Sequence, residues 1–156
     1  MHCRPHVRWH GGVCMPETIY GQIGAVFAVL ICAFALLKGD EPERIWGSVF
    51  ALGWFASLLI QGDGDLYSVQ WGIFYLDLVS LAVLVGLAWK SRRAWPVWAC
   101  AFQLLAVMGH IMNMTDMRPP IASFYAVINL SGYGVLACLA VGTFWAWQDR
   151  RAAGLE

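Results

Sequence analysis

Residues 71–114 read WGIFYLDLVSLAVLVGLAWKSRRAWPVWACAFQLLAVMGHIMNM. Two long apolar runs flank the basic turn KSRRA at 90–94. A bilayer core about 30 Å thick takes about 20 apolar residues per helix, and each run is of that length. Unpaired backbone amides are prohibitively costly in lipid, so both runs read as transmembrane helices, at 69–89 and 95–114. Pro96 suits the first turn of the second helix, where a missing N–H costs nothing.

The same reading extends outward. Further apolar blocks lie at 18–37, 45–60 and 121–147. The block at 45–60 is the shortest, so the bundle has five spans, or four if that block does not cross. Short links (KGDEPER, QGDGD, KSRRA, TDMRPP) make consecutive helices antiparallel neighbours. The expected fold is an all-α polytopic transmembrane bundle over 15–148, followed by a cytoplasmic tail at 149–156. Composition agrees: 60% of the 156 residues are hydrophobic and 13% charged, too few polar groups to coat a soluble domain. A formal net charge of zero gives no basis for nucleic-acid binding. Ala33 and Ala35 allow a signal-peptide reading of the first block, but Leu36 and Leu37 follow and the apolar stretch is long, so it is read as an uncleaved span.

Basic residues orient the bundle. Lys38, Arg44, Lys90, Arg92, Arg93, Arg150 and Arg151 fall on one side of a five-span topology, and Arg118, Arg4 and Arg8 on the other. The positive-inside rule then puts the N-terminus outside and the C-terminus inside, in a bacterial inner membrane. Trp46, Trp89, Trp95, Trp98, Trp145 and Trp147 fall near the proposed inner interface, and Trp71 near the outer one, as an aromatic belt requires.

The first fourteen residues, MHCRPHVRWHGGVC, are unlike the rest. Cys3, His6, His10 and Cys14 make an acceptable set of tetrahedral zinc ligands. Gly11 and Gly12 interrupt the helix that would gather them, and Met15 opens a clean start, MPETIYGQIG. The segment is therefore read as a non-native or mis-called leader, from a start placed too early with Met15 as the true one; the zinc tail is the alternative, and no cofactor is expected elsewhere.

Within the spans, Asp77 is the one carboxylate, and a charge at mid-helix costs about 2.5–3.5 kcal/mol on insertion scales. It needs a polar partner inside the protein. Gln103, His110 and Asn113 share a face of the fourth helix. At 1.5 Å per residue, Asp77, His110 and Asn129 lie roughly 10, 7 and 12 Å from the outer ends of their helices. Antiparallel threading thus brings Asp77, His110 and Asn129 to one layer, which Gln22, Ser57, Tyr75, Tyr125 and Tyr133 can join. Two readings stand side by side: a structural polar clamp, or a protonatable site, since an Asp–His pair moves protons near neutral pH. Gln103, Asn113 and Asn129 are taken as structural.

Weaker signals are read as packing. Gly21, Ala25 and Ala28, and Gly134, Cys138 and Gly142, form small-residue faces for close helix contact. Cys32, Cys100 and Cys138 act as small hydrophobes, and the methionines around His110 as packing groups. Asp63 and Asp65 make too few oxygens for a calcium site. No second intramembrane histidine is present for bis-histidine haem, and no HExxH, GxSxG or P-loop pattern occurs.

The stretch Ser91, Arg93, Trp95, Pro96, Trp98, then Phe102, Gln103, Leu104, Leu105 and His110, preceded by Asp77 in its own span, resembles small hypothetical membrane proteins of alphaproteobacteria. The likeness continues through FYAVINLSGYGVLACLAVGTFWA and covers about half the chain. Gly109 stands where that family often has threonine. The resemblance implies a membrane location and draws attention to Asp77 and His110; it carries no activity.

Three functions follow as expectations. The first is an accessory or scaffolding membrane protein, held in the lipid bilayer with a second copy or a membrane-protein partner. The second is a small transporter, channel or sensor using Asp77 and His110. The third is a membrane enzyme or redox-cofactor protein; the reading adopted is non-enzymatic.

Overall fold

The computed structural model describes residues 15–62, 66–115 and 121–154. It is all-helical. The five helices are α1 (Met15–Lys38), α2 (Glu41–Gly62), α3 (Leu66–Ser91), α4 (Ala94–Met114) and α5 (Ile121–Ala152). Each covers one expected apolar block and extends beyond it by a few residues at one or both ends. The leader and its zinc alternative (Cys3, His6, His10, Cys14), and Asp63 and Asp65, lie outside the described residues.

Three helices contain stretches long and apolar enough to cross a membrane: Trp71–Ser91, Ala94–Met112 and Ala126–Ala152. Ile23–Lys38 is apolar but shorter. The first turn of α2 carries Glu41 and Glu43.

The helices form a ring. α1 packs on α2, α2 on α3, α3 on α4 and α4 on α5; α5 returns to α1, and α2 also touches α5 across the middle. Ala35, Trp46, Leu84, Leu87, Trp95, Ala99, Val135 and Leu139 make one core drawn from every helix. Trp46 is 1% exposed and belongs to that core. This corrects its expected place in an interfacial belt, as does the burial of Trp95. Both lie on the ring-facing side of their helices, and distance from a helix end does not report that side. Trp89, Trp98 and Trp145 are exposed, as belt residues should be. The indole N–H of Trp46 has no hydrogen-bond partner among the described residues, and nothing in the structure explains it.

One small-residue face is used inside the chain. A Cβ added at Gly134 would lie 2.5 Å from the Phe102 ring, and one at Gly142 would lie 2.4 Å from the Trp95 ring. Those glycines are seats for α4 side chains. A Cβ at Gly24 would lie 2.6 Å from the Tyr133 hydroxyl, so α1 and α5 also approach closely.

A polar knot closes one end of the ring. The turn before α2 holds half of a capping box: the Asp40 N–H donates to Glu43 Oε2 at 3.0 Å. The Asp40 carboxylate instead accepts from the guanidinium groups of Arg93 and Arg150. Arg150 also donates to the carbonyl of Lys38 at the end of α1. Glu43 is fully buried, and its Oε1 accepts from Arg93 Nη1 at 3.0 Å and Trp95 Nε1 at 2.7 Å. A buried carboxylate is tolerated only when paired and hydrogen-bonded, and here both oxygens are engaged. Lys90 pairs with Glu41 at the exposed rim, 3.0 Å apart. Burial alone lowers the Arg93 pKa, but its hydrogen bond to Asp40 and the charges of Glu43 and Asp40 outweigh that, so it stays above its ordinary value. In the sequence Glu43 reads as part of the link KGDEPER, so the knot is not visible there.

Candidate functional site

Asp77 and His110 meet between α3 and α4. The two helices are joined by only Arg92 and Arg93, so α4 runs back along α3 and residues equally far from the turn come level. Asp77 Oδ2 lies 3.1 Å from His110 Nε2. Their side chains are 23% and 7% exposed in the isolated chain. The Gln103 side-chain amide donates to Asp77 Oδ1 at 2.9 Å and reaches the Asp77 backbone carbonyl at 3.4 Å. Gln103 and His110 are two turns apart, so they grip the carboxylate from above and below along the helix axis. The Phe74 ring meets His110 edge-on, with centroids 6.4 Å apart.

On its other side Asp77 opens into a cavity of about 170 Å³. α2 supplies Phe50, Gly53, Trp54 and Ser57, α3 adds Ile73, Leu76 and Ser80, and Gln103 closes the wall. Ser57 donates its hydroxyl proton to the Trp54 carbonyl at 2.8 Å, which leaves its oxygen lone pairs for a guest. Ser80 was not anticipated, although it stands three residues after Asp77 on the same face of α3. Trp54 and Phe50 were also missed, because an aromatic residue in an apolar block carries no sign of which way it faces.

The other expected members divide. Ser57 is in the cavity wall. Asn129 is not brought to the pair; it lies exposed on α5. The buried stripe of that helix runs through Ser131, Val135, Leu139, Thr143 and Ala146, and Asn129, two residues before Ser131, points nearly opposite to that buried side chain at about 100° per residue. Tyr75 and Tyr133 are exposed. The side chains of Asn113, Gln22 and Tyr125 lie outside the described residues. No group of three or more His, Cys, Asp or Glu suited to a metal ion comes together among the described residues.

No protein-family model, no curated protein and no solved structure matches the chain.

Proposed function

We propose that the chain is an integral protein of the bacterial inner membrane in which Asp77 and His110 form a protonatable site of a small transporter, channel or sensor. The observation that carries this reading is the 3.1 Å contact between a carboxylate and an imidazole, deep in apolar helices, beside a cavity. A clamp needs the contact but not the cavity. Intramembrane ionisable groups of this kind mark ion and proton pathways.

Five spans, with the N-terminus outside and the C-terminus in the cytoplasm, belong to the same proposal. The closed ring supports the span count, since α1 and α2 lie alongside the three helices that are long and apolar enough to cross. The knot supports the orientation: Lys38, Lys90, Arg93 and Arg150 gather at one end with Arg44, Arg92 and Arg151 close by in sequence. Arg93 and Trp95, which carry the likeness to alphaproteobacterial hypothetical membrane proteins, both bind Glu43.

The reading predicts proton-dependent currents from protein reconstituted on a supported membrane, absent in Asp77→Asn and in His110→Gln. Indistinguishable responses from all three proteins would remove it. The alternative is an accessory protein packed with a second copy or a membrane partner. The exposed apolar residues Val26, Phe27 and Leu30 on α1 favour it; a monomer in native mass spectrometry from mild detergent would count against it.

A further inference from the structure

Asp77 offers a single negative charge to two sides. His110 approaches Oδ2, and the cavity lies on the face of Asp77 shared with Ser80 and Ser57. We propose that the cavity binds a small organic ammonium ion, and that this cation and the proton on His110 compete for the Asp77 carboxylate. The proposal rests on the protonatable pair described above and adds its ligand class and its coupling.

The walls select the cation. Indole and phenyl groups attract ammonium ions through the negative faces of their rings, Trp most strongly, and Trp54 and Phe50 line the cavity. A hard divalent metal cation takes a shell of about six oxygens or more. Here the wall offers two serine hydroxyls, the Asp77 carboxylate and the Gln103 amide among rings and aliphatic groups, short of that shell. At about 30 Å³ per water, a space of about 170 Å³ holds five or six waters, or one compact ammonium ion in their place.

The coupling follows from charge. With His110 protonated, the pair is neutral and a second cation leaves an uncompensated positive charge in a weakly polarisable interior. With His110 neutral, the carboxylate is free to balance the guest. The residues that line the cavity around Asp77 are uncharged. α2 contributes Phe50, Trp54 and Ser57, α3 contributes Phe74 and Ser80 beside Asp77, and α4 contributes Gln103. On α5, behind α4, Tyr133 turns to α1, and Cys138 lies in a separate apolar groove with Trp98. The site therefore holds a proton or a cation, which is the stoichiometry of exchange.

The test uses the full chain in nanodiscs and tetramethylammonium chloride, a permanent cation that carries no proton itself. Calorimetry at a series of pH values should give an apparent Kd that rises as the pH falls, because protons and the cation compete for Asp77. A pH indicator in weak buffer should register about one proton released per cation bound. His110→Gln should keep binding and lose both the release and the pH dependence. Trp54→Leu should weaken binding at least tenfold, which guards against misfolding of an Asp77 variant. Trp89→Leu, at the exposed end of α3, should change neither. Binding without proton release, or no binding at all, overturns the proposal. If proton-dependent currents persist in either case, the protonatable pair stands without an ammonium ligand.

Discussion

Asp77 and His110 touch at 3.1 Å although they sit on different helices, and Gln103, two turns before the histidine, holds the other carboxylate oxygen at 2.9 Å. The carboxylate is thus gripped by one helix at two heights. Its remaining open side faces the cavity.

Gln103→Leu should test the grip. It deletes one donor to Asp77 while keeping the apolar volume of the side chain. Hydrogen bonds between membrane helices average about 0.6 kcal/mol and reach about 1.7, so a loss of that order is expected in a reversible unfolding assay in bicelles. The functional loss should exceed the stability loss, because the carboxylate becomes free to rotate. A variant with unchanged currents and reduced stability would make Gln103 a clamp and nothing more.

Glu43→Leu should be far more costly than its place near a helix end implies. It strands the Arg93 guanidinium and the Trp95 indole N–H and removes the cap on Asp40. Breaking one side of a buried pair costs about 3–5 kcal/mol. Arg93 is about a third exposed, so the lower end is expected. Arg93 has a raised pKa in the fold. Its contribution is fully present below the unfolded-state value and is lost only as the pH climbs through the folded one, so the knot should keep its guanidinium charge at every pH short of strong alkali. Thermal unfolding of Glu43→Leu and Arg93→Leu, singly and together, measures the coupling.

Gly142→Val should destabilise by about 1–3 kcal/mol, because its Cβ would meet Trp95 at 2.4 Å and that ring is buried and held by Glu43. The association state should not change. If the variant instead shifts a dimer to monomer with its fold intact, the small-residue face serves a partner.

Arg92 carries φ of 51° in the turn between α3 and α4. A left-handed residue other than glycine costs about 1 kcal/mol, so Arg92→Gly should be neutral to stabilising in the same unfolding assay, despite the loss of a charge at the basic end.

The helices were legible because each apolar block is long enough for about four helical turns or more, and the turn at 90–94 gave the antiparallel level that paired Asp77 with His110. Depth can be counted along a chain. Rotation cannot be counted in a span apolar on every side, and this accounts for the misplacement of Asn129 and for Trp46 entering the core. The knot escaped for another reason. Asp40, Glu43, Arg93 and Arg150 come from three separate segments, and in sequence each reads as a solvated charge; only the D-x-x-E spacing of a capping box hinted that Glu43 points inward.

Proton uptake by the reconstituted protein is the most direct test of the protonatable pair. Nanodiscs carrying residues 15–156, in which His110 is the only histidine, would be taken from pH 8 to pH 5 in weak buffer with an indicator dye. Wild type should take up more protons per chain than His110→Gln. Equal uptake by wild type and His110→Gln would contradict a protonatable pair, since the imidazole would then stay in one state throughout and the pair would be a structural clamp.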